Sequence, residues 1–111
     1  MMDLFDREKE HLWVVGLNAT NKIKYIDHVS MGSLKGTVAE PREIFRNAIH
    51  LGAANIIVAH NHPSGNNTPS ERDIQLTKKI TDAGVILGIL LIDHIIVCEK
   101  GRYSFADEGL L

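Results

Sequence analysis

At 111 residues, with 44% hydrophobic and 23% charged side chains, the chain has ordinary globular composition and the size of one domain, which excludes disorder, collagen-like repeats and coiled-coil fibres. A formal net charge of -2, with basic residues scattered among acids apart from Lys22/Lys24 and Arg42/Arg46, gives no general attraction to phosphate and argues against nucleic-acid binding by charge. The longest apolar run, from Val85 to Ile92, stops at Asp93, far short of the roughly 20 residues that span a bilayer, so no transmembrane helix is expected.

Met1 to Glu10 is rich in charge and has no apolar segment of the export-signal kind. Cys98 is the single cysteine, so an intrachain disulfide is impossible and a reducing cytoplasm is the expected setting. At the end of an apolar run it reads as a small core residue.

In chain order, Leu12 to Leu17 is apolar and Val-rich and reads as a buried strand, with turn formers at Asn18 to Asn21. Lys22 to Val29 partly keeps period two and pairs with it as a hairpin. Pro41 fits the first position of a helix whose stripe is Ile44, Phe45, Ala48, Ile49 and Leu51, closed by Gly52. Ala54 to Ala59 is a β-branched run leading into the polar loop Asn61 to Pro69.

Thr68-Pro-Ser-Glu71 fits a capping box, with Thr68 as N-cap, Pro69 first in the helix and Glu71 reaching back. That helix is expected to run to about Ala83 with Ile74, Thr77, Ile80 and Ala83 inward, and to stop at Gly84. Val85 to Cys98 then holds one long or two short strands, and a last strand lies near Arg102 to Phe105. The fold class is α/β, a mixed twisted sheet flanked by helices in one domain over 1–111.

The chemistry gathers at His60-Asn-His62, where a strand leaves its sheet and residues i and i+2 project to one side. Ser70 and Asp73, three apart at the start of the next helix, share a face and can look back at the histidines. Two imidazole nitrogens and a carboxylate oxygen are a standard three-ligand set for catalytic Zn²⁺, with a fourth position open for water. A second carboxylate is then needed to take the water's proton.

His60, His62, seven intervening residues, Ser70, two more, then Asp73 reproduce a known pattern: it resembles the JAMM (MPN+) metalloprotease motif. Ala59-His-Asn-His-Pro-Ser-Gly65, Thr68-Pro-Ser70 and Asp93-His-Ile-Ile-Val97 look specifically like the RadC-like branch of that superfamily, from about Glu8 to Phe105. The resemblance implies a three-layer, cytidine-deaminase-like (JAB1/MPN) fold, zinc on His60, His62 and Asp73, and Ser70 helping to hold a substrate oxyanion. It also implies a glutamate base at the start of the first strand, the place of Glu10, with Glu8 in reserve.

The longer RadC-like proteins carry an N-terminal helix-hairpin-helix region, for which this sequence has no preceding segment, so it reads as a short form. The expected substrate is a protein or peptide, and the expected reaction is hydrolysis of a peptide or isopeptide bond. The rival reading is a non-catalytic, metal-stabilised module associated with DNA repair, in which nucleic acid enters only through the family association. Zinc deamination is excluded, because its HxE element and PCxxC pair are missing. An HNH nuclease needs residues spread over a ββα unit, so the letters His60-Asn61-His62 do not make one.

Among the remaining polar residues, Asp93-His94 sits inside an apolar strand and reads as a hydrogen-bonded couple supporting site or fold rather than as a fourth ligand. His11, His28 and His50 show no partner pattern. Asn61 stands where many JAMM peptidases have Ser or Thr, and is what the RadC-like branch shows.

Overall fold

A computed structural model of the chain describes residues 10–30, 40–63, 65–99 and 101–111. The strands are β1 (His11–Leu17), β2 (Ile23–Ser30), β3 (Asn55–Asn61), β4 (Leu90–Cys98) and β5 (Gly101–Ser104), and the helices are α1 (Pro41–Leu51) and α2 (Glu71–Leu87). They form one sheet in the order β2-β1-β3-β4-β5, with only β3 and β4 parallel, so the expected mixed α/β architecture is present. No helix among the described residues is long and apolar enough to cross a membrane.

Local chemistry explains most boundaries. The Asn18 side chain accepts from Thr20 N and Lys22 N, each at 2.9 Å, and Asn21 takes a left-handed φ of 63°, which closes the β1–β2 hairpin. Pro41 opens α1 as expected, and Gly52, at φ 73°, ends it in the left-handed conformation that costs glycine least.

Alternation along the strands builds the core. Leu12 and Val14 of β1, Ile56 and Val58 of β3, and Leu91 of β4 meet Ile44, Phe45 and Ala48 of α1 and Leu76 and Ile80 of α2 in one buried cluster. Each large aliphatic in it contributes about 1.5–3 kcal/mol. Both described helices therefore share one face of the sheet. His60 follows Ile56 and Val58 at the same period of two, so the pattern that fills the core also delivers His60 beneath the start of α2.

Three expectations for α2 need correction. The N-cap is Ser70 rather than Thr68, and its partner is Asp73 rather than Glu71; Thr68 N is engaged instead by the Asn66 side chain at 2.9 Å. The helix runs past Gly84 to Leu87 and ends at Gly88, φ 73°. Gly84 is no terminator: a Cβ there would come within 2.4 Å of the Ile89 carbonyl oxygen, so glycine admits the returning chain. Consequently Val85, Ile86 and Leu87 are helical and exposed rather than strand, and Ile74 also faces solvent.

Similarly, α1 buries Ile44, Phe45 and Ala48, while Ile49 and Leu51 are exposed. In β4 the register slips between Ile56/Ile57 of the neighbouring strand, where Leu91 pairs with Ile56 and Asp93 with Ile57, leaving Ile92 as an inserted residue. A one-residue insertion exchanges the two faces of a strand from that point. Asp93 therefore turns away from the helices, and His94, Ile96 and Cys98 turn toward the core side.

Candidate metal centre

The end of β3, the loop beyond it and the first turn of α2 bring His60, His62 and Asp73 together. The strand stays extended past its last residue because His62 N donates to Val97 O at 2.9 Å, which keeps both imidazoles on one side with ring centroids 4.9 Å apart. His62 Nδ1 lies 2.8 Å from Asn66 O, so the loop carbonyl fixes that ring with Nε2 turned inward.

Across from them, Ser70 and Asp73 form a capping box in which Ser70 N donates to Asp73 Oδ2 at 2.8 Å and Asp73 N donates to Ser70 Oγ at 3.1 Å. Asp73 Oδ2 lies 3.0 Å from His62 Nε2 and Oδ1 lies 3.1 Å from His60 Nε2. One ligand atom from each of the three residues falls within 4.8 Å of the others.

The fit to a cation rests on His60. Its Nε2 is fully buried and, although close to Asp73 Oδ1, makes no hydrogen bond there. A buried polar nitrogen without a hydrogen bond is costly, and here it points at a carboxylate and a second imidazole. Two imidazole nitrogens and a carboxylate oxygen suit Zn²⁺, so the donor set fits the ion that the motif implies.

The electrostatics agree with a tight, partly buried cluster. For Asp73, burial pushes the carboxyl up, but the closeness of His60 Nε2, the hydrogen bond to His62 and the bond from Ser70 N outweigh it and hold the group far below the ordinary carboxylate range. For His62, burial pushes the imidazole down, yet the bonds to Asp73 and Asn66 and the charges of Asp73 and Glu10 raise it above its ordinary value. His94 falls to about 3, chiefly through burial and secondly through the His60 imidazole beside it.

Glu10 lies immediately before β1, half-buried and near enough for its charge to act on His62. Asn61 explains why the strand begins there: its buried side chain accepts from His11 N at 2.5 Å and pins the start of β1 beside the end of β3. Ser70 is exposed at the mouth of the cluster with its oxygen accepting from Asp73 N, which leaves the O–H to donate. Glu8 lies outside the described residues.

Sequence reasoning had Asp93-His94 supporting site or fold, but not which candidate ligand His94 stands behind, and it missed Thr77 as a partner. His60 Nδ1 lies 2.7 Å from His94 Nε2, and His94 Nδ1 lies 2.5 Å from the Thr77 hydroxyl. The expected Asp93-His94 couple is hydrogen-bonded through the backbone, His94 N donating to Asp93 Oδ1 at 2.7 Å, but its side chains part: the Asp93 carboxylate also accepts from Ser104 Oγ and Ala106 N at the β5 end, while the imidazole lies against His60. A polar pair in an apolar strand was the available signal, but the Ile92 insertion that separates the two is not written in the periodicity. His11 and His28 pair with each other at 2.9 Å and pack beside Trp13, away from the ligand atoms of the cluster.

The family profile of the RadC-like JAB domain matches residues 1–110. The chain belongs to the RadC-like JAB domain family. A UPF0758 protein of Caldanaerobacter subterraneus is 48% identical over 101 residues, covering 91% of this chain and 43% of the relative. One from Moorella thermoacetica is 46% identical over 104 residues, covering 94% and 45%, and one from Desulforamulus reducens is 43% identical over 111 residues, covering 100% and 49%. The chain thus spans about half the length of the curated relatives it matches, and these relatives are named for their family alone. The RadC-like JAB domain of this chain carries a His-His-Asp group that could hold a metal ion.

Proposed function

We propose that this RadC-like JAB domain is a zinc-dependent hydrolase of JAMM type acting on peptide or isopeptide bonds. The observation that carries the reading is the convergence of His60 Nε2, His62 Nε2 and the Asp73 carboxylate, with His60 Nε2 buried and lacking a hydrogen bond. When bound, zinc supplies a Lewis acid that polarises a carbonyl oxygen and lowers the pKa of water toward neutrality.

The chain supplies the rest. Glu10, with its charge already felt at His62, takes a proton from the attacking water and returns it to the departing amine. Ser70 donates its O–H to the oxygen on which negative charge develops.

Purified protein, prepared without added metal, should carry about one zinc per chain, the number a three-ligand site holds, and His62→Ala should lose it. The zinc-loaded wild type should cleave peptide or isopeptide substrates that the Glu10→Gln variant leaves intact. A wild type that binds no zinc, even after incubation with it, sinks the reading. Zinc binding together with salt-sensitive retention of DNA and no Glu10-dependent cleavage would replace it with the metal-stabilised module.

A further inference from the structure

We propose that His94 and Thr77 form a positioning relay that holds His60 as its Nδ1–H tautomer, with the Nε2 lone pair turned to the place shared by His62 and Asp73. The proposal deepens the metal-centre reading and rests on it.

The hydrogen bonds run in one direction only. Thr77 Oγ1 donates to the Asp73 backbone oxygen at 2.8 Å, and a hydroxyl has a single hydrogen to give. Toward His94 Nδ1, 2.5 Å away, the same oxygen must accept, so Nδ1 of His94 carries the proton. His94 is fully buried, and its neighbour's carboxylate is held by Ser104, Ala106 and the His94 backbone N–H; among the described residues no carboxylate is hydrogen-bonded to either of its ring nitrogens to support a second proton. Nε2 of His94 is then a lone-pair acceptor, and its contact at 2.7 Å, His60 Nδ1, is the donor.

A neutral imidazole with its proton on Nδ1 has its lone pair on Nε2. That is the His60 nitrogen that is buried, without a hydrogen bond and 3.1 Å from Asp73 Oδ1. The relay closes on the metal cluster at both ends, because Thr77 leans on the backbone of the ligand Asp73 one helical turn back, while His94 orients the ligand His60. His94 is itself fixed by stacking on Phe105, with centroids 4.7 Å apart and an interplanar angle of 8°. Partners behind a metal-bound histidine commonly set its tautomer and raise its basicity, and their loss typically costs 10–100-fold in metal affinity.

The test compares zinc affinity, by chelator competition on the full chain, among wild type, His94→Phe, His94→Gln and Thr77→Val, with the tautomer of His60 read by long-range ¹H–¹⁵N NMR. Wild type, metal-free, should show His60 protonated at Nδ1. His94→Phe keeps an aromatic ring against Phe105 but cannot accept, and should lose roughly 10–100-fold in zinc affinity. His94→Gln, whose amide oxygen can accept from His60, should recover part of the loss, a rescue that a purely structural role would not produce. Thr77→Val should leave the fold intact and show His60 as a mixture of tautomers. Equal zinc affinity in wild type and His94→Phe, or His60 protonated at Nε2 in the wild type, overturns the relay. A wild type that takes up no zinc overturns the metal centre instead, and the His60 tautomer in that same protein still decides the relay.

Discussion

Ser70 and Asp73 hold each other at the start of α2, each accepting from the other's backbone N–H, at 3.1 Å and 2.8 Å. One carboxylate therefore serves as helix cap and as candidate metal ligand, so the helix start and the site are a single structure. Removing either side chain disturbs both.

Ser70 can be divided into its two roles by choice of substitution. Ser70→Ala should cost about 1 kcal/mol in urea unfolding of the metal-free protein, while Ser70→Gly should cost only a few tenths, because glycine tolerates the N-cap conformation. Both should lower hydrolysis by the zinc-loaded protein by about 10²–10³, the usual cost of one oxyanion donor. Unimpaired cleavage by Ser70→Gly would leave Ser70 a cap and nothing more.

The shifts of His62, Asp73 and His94 set the pH profile of the metal-free protein. His62 is raised above its ordinary 6.5, so its contribution is complete below that value and fades as pH rises through the folded one. Asp73 is held below its ordinary 3.8, so its contribution is present above that value and is lost as pH falls toward the folded one. The melting temperature of chelator-treated protein should therefore peak near pH 6.5, declining above it as His62 deprotonates and below it because buried His94, held down to about 3, does not take the proton that the unfolded chain binds. Zinc uptake runs the other way, since His62 must give up its proton to bind, and should strengthen as pH rises. A metal-free melting temperature that does not change between pH 5 and 8 would count against the His62–Asp73 pair.

Gly84→Ala tests the close approach inside α2. Alanine is the better helix former by about 1 kcal/mol, but its Cβ would meet the Ile89 carbonyl oxygen at 2.4 Å. The atom in the way is backbone and cannot swing aside, so overpacking should win and the variant should be less stable, by about 1–3 kcal/mol in urea. A more stable variant would mean that the Gly84–Ile89 approach is loose.

How much was legible in the sequence follows from the range of each signal. The order and type of the elements were readable because alternation and helical stripes are local, and Pro41 and Gly52 mark the ends of α1 by their own backbone preferences. The grouping of His60, His62 and Asp73 was readable because a strand end and a helix start fix their side chains at short range. Gly84 misled because its reason is a contact with Ile89, and Thr68 misled because Asn66 competes for its N–H. His94 was flagged as polar in an apolar strand, but which way it faces depends on the insertion at Ile92, a property of the pairing with β3.

Asn61 lies between the two histidines in sequence yet works on a different element. By accepting from His11 N it ties the residue after Glu10 to the end of β3, so the candidate base and the candidate ligands lie at the same end of the β1–β3 ladder. Asn61→Ala would remove that tie while leaving His60, His62 and Asp73 in place. The variant should keep its zinc content and His60 tautomer but lose turnover, since a misplacement of about 1 Å at a reacting group can cost roughly 10²-fold. The comparison to make is zinc stoichiometry against kcat for Asn61→Ala and Glu10→Gln side by side. Both should hold zinc and both should be slow; full activity in Asn61→Ala would show that Glu10 is held in place by something other than the Asn61–His11 tie.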